Sequence, residues 1–552
     1  MTTKKDIIEE LFQKRSDFKY PDQAETMSNL LDTVSSDIYS ESQRFVFELI
    51  QNADDAAKNT NNEVHFEFQN DCLIVSHNGH PFTQEDIKAL TSAGSSTKKA
   101  DTTKTGYKGI GFKSVFGKSE RVSIFSDGFQ FRFDKSKFDT ILPWQIIPIW
   151  TEPSDLPKGI QESVSKSDYA VSTIIEIKNV ELLQIDLSEL LNNGQILLFL
   201  RRVSKISVSK NGNPIYSIEK KVVKEETNFN EVTLFKDGKE ISSWITKTFG
   251  DIPVPAKTKV ELKQDEKTPK KLKDAEFTEI SFAAKIEGNK IKALRERESL
   301  IFTYLPTKVN NFKFPFLVNG SFLTNAAREG IHEDKIWNQW LFELIAEKIF
   351  DWLVSLSTTV YKFQILHLLP HKFNNQQNEL QKSFDNSFAK QCPTKKFIIT
   401  GNENISKASE VVLDKTGLSI QKFIDPKSIT EFLKTEKNIT LSDDCFVNPK
   451  VEEAIKLKAI GVETFELDSF ETFFISKSFT SRHKISDNFS LIKYFKEKSD
   501  SDKQGLWFQT LKTLPFIYDE KGLLYNPSNG ICFPTGISST ELGEIPIIHP
   551  DI

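Results

Sequence analysis

Glu48 and Asn52 stand four residues apart in SESQRFVFELIQNADDAAK, 40–58, and on a helix that spacing puts both on one face. The amide oxygen of Asn52 is a hard donor of the kind that magnesium accepts, and Glu48 is a carboxylate that can orient and deprotonate a water. Together they suit hydrolysis of a phosphate anhydride. Taken alone, the pair reads more readily as a solvated polar face than as a catalytic one. A second stretch, GYKGIGFKSVF at 106–116, presents glycines at 106, 109 and 111. It is not a Walker loop, because Phe112 separates Gly111 from Lys113, and its order, G-x-x-G-x-G, reverses the dinucleotide fingerprint. Successive backbone N–H groups of such a loop can still cradle phosphate oxygens without a lysine.

The elements that must position these residues follow from periodicity. Phe45, Leu49 and Ala53 recur at helical spacing along 40–58, and further helices are expected over 5–15, 23–38 and 84–91. Short strands are expected at 64–68, 72–76, 121–125, 129–133 and 172–178, with Ser-Asp-Gly joining the third to the fourth as a hairpin. HNGHPFT at 77–83 follows a strand, and SAGSSTK at 92–98 opens a polar stretch. Two charged segments, 219–231 and 257–276, read as surface insertions or linkers. A long helix is expected over 335–356. Beyond it, TKKFIITGNENISKASEVVLDKTG and TLPFIYDEKGLLYNPSNGICFPTG are faintly alike.

The whole chain sets bounds. Its 552 residues are 38% hydrophobic and 27% charged, with a net charge of −5, which fits a globular protein with a real core and offers nucleic acid no bulk attraction. Cys72, Cys392, Cys445 and Cys532 have no metal-ligand spacing, the eight histidines form no zinc-hydrolase motif, and the charged start does not read as a secretory signal. No stretch is apolar enough to cross a bilayer. A cytoplasmic setting with reduced thiols is expected. The last residues, IPIIHPDI, read as a final edge strand or as the end of a piece of a longer chain.

ELIQNADDA, HNGHPFT, GYKGIGF and STIIEI occur in this order and spacing in the GHKL ATPases, which include gyrase, the ninety-kilodalton heat-shock chaperones, histidine kinases and MutL. The chain resembles the chaperone branch through QAETMSNLLDTVSSDIYS and the 91–108 stretch, and within it the sacsin-type proteins through YLPTKVNNFKFPFLVNGSFLTNAAREGIHED. The resemblance implies an α/β fold: a Bergerat sandwich with a mixed sheet under a helical layer over 1–215, a chaperone-like middle domain over 216–360, and a further α/β region over 361–552.

It also implies roles. Glu48 would be the general base and Asn52 the Mg²⁺ ligand, and Asp55 would line the pocket. Gly79 would allow close approach, Gly106, Gly109, Gly111 and Phe112 would form the phosphate loop, and Thr173 would support adenine through water. Ser95 and Lys98 are lid candidates, and Arg328 would reach ATP from the second domain, with Lys308 its rival. One departure stands out. His77 occupies the place of the aspartate that accepts a hydrogen bond from the adenine amino group, so adenine selectivity rests on a neutral imidazole acting as acceptor. The first expectation is therefore a slow Mg·ATPase that acts on a protein client or a partner subunit through lid closure, a second copy of the chain included. The second is a nucleic-acid clamp of gyrase or MutL type, and no residue speaks to a setting such as defence against phage. A nucleotide sensor without turnover is the third.

Overall fold

The computed structural model describes residues 3–36, 44–92, 111–138, 141–165, 168–265, 268, 270–325, 329–373, 375, 378–502, 504–533 and 545–552. The chain is α/β and divides into two units. One comprises residues 1–348 and 372–387, the other 349–371 and 388–552.

Among the described residues, the first unit is built on a mixed sheet of fifteen strands. In chain order they are β1 (Asn62–Gln69), β2 (Cys72–His77), β3 (Arg121–Ser126), β4 (Phe129–Asp134), β5 (Ile149–Trp150), β6 (Val171–Glu176), β7 (Val203–Lys210), β8 (Asn213–Glu225), β9 (Asn230–Lys236), β10 (Lys239–Pro253), β11 (Phe277–Glu287), β12 (Lys290–Lys292), β13 (Ile301–Thr303), β14 (Leu305–Pro306) and β15 (Leu317–Gly320). They lie in the order β14-β13-β15-β11-β10-β9-β8-β7-β1-β2-β6-β3-β4-β5, with β12 beside β11. The β1–β7 and β13–β15 pairs are parallel, and the other neighbours are antiparallel.

Tight turns set this register. Asp127 and Gly128 both carry positive φ, 44° and 78°, which gives the expected Ser-Asp-Gly hairpin between β3 and β4 the backbone hand that matches strand twist. The segment 219–231 is no linker. It forms the outer part of β8 and the start of β9, paired from Ile218–Lys236 to Glu225–Asn230, and its charges lie on exposed arms of a long hairpin. The segment 257–276 likewise holds helices Ala256–Gln264 and Lys270–Lys273.

Helices of the N-terminal part of the unit include α1 (Lys4–Ser16), α2 (Pro21–Ser36), α3 (Arg44–Ala56) and α4 (Gln84–Leu90). Helix α3 buries Phe45, Val46, Leu49, Ile50 and Ala53 in the same core as Leu73 and Val75 of β2 and Ile175 of β6. Each large side chain so buried contributes about 1.5–3 kcal/mol. The opposite face of the same strands packs Cys72, Ile74 and Ile174 against Leu156 and Ile160. Odd-numbered residues of β2 and β6 therefore face α3 and even-numbered ones face away.

In the second unit the two faintly similar stretches adopt the same motif. Ile398–Ile399 pairs antiparallel with Ile405–Ser406, and Ile517–Tyr518 pairs antiparallel with Leu524–Tyr525. Each hairpin receives an antiparallel bridge, Thr400 to Val447 and Asp519 to Ile548. Each is followed by a parallel one, Val412 to Phe446 and Cys532 to Ile547. The weak sequence likeness is thus a repeated structural unit.

Candidate functional site

Glu48, Asn52 and Asp55 lie at i, i+4 and i+7 on α3, the face beside its apolar stripe. Glu48 is buried, at 5% exposure, while Asn52 and Asp55 are partly buried. The neighbouring Asp54 has a different task that the sequence reading missed. It is buried and accepts from the backbone N–H groups of Arg201, Arg202 and Val203 at 3.1, 2.8 and 2.7 Å, which fastens α3 to the start of β7. The signal was available in the spacing: Asp54 follows Ile50 by four residues and so falls on the buried stripe.

The C-terminal end of α3 is also fixed to the turn after β2. His80 N–H donates to Ala56 O at 2.6 Å, and a Cβ on Gly79 would lie 2.7 Å from that same oxygen. Only a glycine fits there. The turn continues into Thr83, whose hydroxyl accepts from Asp86 N–H while the Asp86 carboxylate accepts from Thr83 N–H, a capping box that starts α4. HNGHPFT thus runs from the end of β2, across the end of α3, to the cap of α4.

Gly111 opens a 3₁₀ helix, Gly111–Gly117, that packs against α2 and α3. Phe112 packs on the core, edge-to-face with Phe116 at 5.9 Å. Lys113 is fully buried and donates to the carbonyls of Leu90 at 2.5 Å and Gln145 at 2.8 Å, with Phe116 and Phe133 rings beneath its ammonium. Burial, with Arg15 nearby, pulls its pKa down to about 7. Its Nζ is committed to backbone carbonyls, so it does not serve as a Walker-type lysine.

His77 ends β2, and its Nδ1 accepts from Gly79 N–H at 3.2 Å. Burial pushes its pKa down to about 4, so the ring is neutral at ordinary pH. Thr173 lies within β6 and not at its start; it is buried, opposite Val75 of β2 and on the α3 side of the sheet. Glu48, Asn52 and Asp55 lie on α3, Gly79 abuts its end, the 3₁₀ helix that holds Gly111 and Phe112 packs on it, and His77 and Thr173 lie on the sheet face toward it. Ser95, Lys98, Gly106, Gly109 and Arg328 lie outside the described residues.

A second group, unforeseen from sequence, adjoins Asp55. Arg201 donates to Glu279 at 2.7 Å and to the Tyr304 hydroxyl at 3.2 Å, and its guanidinium lies 5.1 Å from the Tyr304 ring centre. Although burial opposes its charge, Tyr304, the Glu279 carboxylate and Asp55 together raise the Arg201 pKa above its usual value. Tyr304 has φ of 68°, a left-handed conformation rare for an aromatic residue, and its N–H donates to Asn319 Oδ1 at 2.6 Å. Lys308 pairs with Glu329 at 3.2 Å.

Residues 24–137 match the Sacsin domain. That stretch contains α3, the His77–Thr83 turn and the 3₁₀ helix after Gly111, which is most of the site. Over 332 residues the chain is 29% identical to Protein NO VEIN of Arabidopsis thaliana, an alignment that covers 57% of this chain and 11% of that protein. The likeness thus reaches well beyond the Sacsin match, yet the chain spans only about a tenth of the relative's length. Among the described residues, no helix is long and apolar enough to cross a membrane.

Proposed function

We propose that the chain is a Mg²⁺-dependent nucleotide-binding protein of the GHKL type, chaperone branch, that hydrolyses ATP slowly and uses the cycle to act on a protein client or partner. The observation that supports this most is the junction at Ala56. The helix that presents Glu48 and Asn52 is tied there to the glycine turn, and the glycine-led 3₁₀ helix packs on the same helix. Glu48 and Asn52, the groups suited to activate water and to hold a metal, share one face of that helix, which packs on a largely apolar side of the sheet.

The residues fit such a ligand on physical grounds. The His77 Nε2 and the Thr173 hydroxyl have no hydrogen-bond partner among the described residues, although Thr173 is only 5% exposed. Both atoms remain reachable from solvent, so each can form a hydrogen bond with a ligand that enters there. Magnesium, when bound, would neutralise charge on the phosphates. Asn52 would hold it through its amide oxygen. Glu48, sunk beside the core, would accept the proton of the attacking water. Arg328 would supply the cation that spreads over the γ-phosphate in the transition state, a role worth about 10³-fold in related phosphoryl transfers.

Calorimetry of the full chain with ATP, with and without Mg²⁺, tests the reading. Asn52→Ala should lose the Mg²⁺-dependent part of binding, and a variant that binds Mg·ATP like the wild type would refute the ligand assignment. Phosphate release measured with duplex DNA and with an unfolded client separates the chaperone-type reading from the clamp.

A further inference from the structure

The ring of His77 is set to give a hydrogen bond, not to take one. Its Nδ1 lone pair is used locally, accepting from Gly79 N–H at 3.2 Å across the turn. That turn cannot shift freely, because Gly79 abuts the Ala56 carbonyl and the next N–H, from His80, is bonded to it. A neutral imidazole whose Nδ1 accepts carries its single proton on Nε2. Burial keeps the ring neutral, with its pKa down at about 4. The Nε2–H has no partner among the described residues. Nor does the hydroxyl of Thr173, one step along the sheet on the same face: His77 lies opposite Val171, and Val75 lies opposite Thr173. The other serines of these strands do not compete, since Ser76 and Ser172 point to the far face and bond each other at 2.9 Å.

An aspartate in this place offers only acceptors and so selects an exocyclic amino group. His77 offers the reverse. Resting on the nucleotide reading above, we propose that His77 Nε2–H donates to an acceptor atom of the base, so that the base is not chosen by its 6-amino group. A 6-oxopurine nucleotide then binds at least as well as a 6-aminopurine one, with the Thr173 hydroxyl, able to donate or accept, serving either edge. His77 is on this account the specificity-determining residue of the base pocket.

The test compares ATP with inosine triphosphate, which differs at the 6-position and the adjoining ring nitrogen, by calorimetry on the full chain with Mg²⁺. The expected result is inosine triphosphate binding within about threefold of ATP or tighter, and a preference for ATP beyond that overturns the proposal. His77→Asp, which turns the donor into an acceptor, should shift the ratio toward ATP by about tenfold or more, and an unchanged ratio also overturns it. Should that variant fail to fold, the wild-type comparison stands alone, and ¹⁵N spectra of the histidine rings give a second readout. His77 protonated at Nδ1 would contradict the donor assignment directly. If neither nucleotide binds with Mg²⁺, the nucleotide reading itself fails; if both bind and ATP is preferred, only the donor role of His77 falls.

Discussion

His77 in the first unit and His483 in the second are both pushed by burial to a pKa of about 4. His483 is enclosed: it stacks on Phe479 at 4.6 Å and on Tyr518 at 5.8 Å, and its Nε2 accepts from Asn488 at 3.2 Å. Asn488, itself fully buried, also donates to Phe516 O, and the Tyr518 hydroxyl donates to His483 O. The ring nitrogen that Asn488 reaches is satisfied by the unit's own side chains. His77 has one nitrogen closed by its own turn and one that, like the nearby Thr173 hydroxyl, has no partner among the described residues. The same desolvation thus serves packing in one place and presentation in the other. An ionisable group is a candidate for function when its environment leaves part of it unpaired, and a shifted pKa alone does not separate the two cases.

The contrast can be broken by mutation. The largest effect is expected in the second unit, whose core is a mesh of phenylalanines. Phe473 is fully buried, with Phe432, Phe465, Phe474 and Phe479 rings 5.1–5.3 Å away. Phe473→Ala should destabilise that unit by about 3–5 kcal/mol in denaturant unfolding, leaving nucleotide affinity unchanged. In the first unit, Gly79→Ala places a Cβ against backbone that must move, so stability should fall by about 1–3 kcal/mol while nucleotide affinity falls tenfold or more. A tightly binding Gly79→Ala protein would show that the turn does not form the pocket.

Acid should act on both histidines with one sign. Each has a folded pKa of about 4, below the ordinary 6.5, so folding favours the neutral ring. That contribution is complete above about pH 6.5 and is lost as pH falls toward 4. Protonation leaves Nε2–H in place but puts a proton on Nδ1, where the ring accepts from Gly79 N–H, so nucleotide binding should weaken near pH 4, through loss of the turn, and not near 6.5. His483→Asn should flatten the acid dependence of the second unit's melting without touching binding, and His77→Asn should alter both. The smallest effect is expected for Lys308, whose exposed pair with Glu329 should contribute less than about 1 kcal/mol. Lys308→Ala that slows single-turnover hydrolysis strongly would instead favour the gyrase-like clamp.

Much of this was legible in the sequence because it is local. The 3.6-residue stripe of α3, the Asp-Gly turn at 127–128 and the Thr83–Asp86 cap each depend on residues within a few positions of one another. The 219–231 segment was misread since its lysines and glutamates advertise solvent but not the hairpin ladder that orders them. Which of Asp54 and Asp55 is structural depended on backbone amides nearly 150 residues away. The Arg201–Glu279–Tyr304 group joins three remote strand ends, and the donor state of His77 hinges on the turn conformation, not on residue type.

The central claim is that α3 carries a hydrolytic nucleotide site, and Glu48→Gln tests it most directly. Phosphate release from Mg·ATP and calorimetric affinity would be measured on the same preparations of wild type and variant. The account predicts slow release by the wild type, and in the variant a loss of about 100-fold or more with affinity retained. Turnover by Glu48→Gln at the wild-type rate would contradict it.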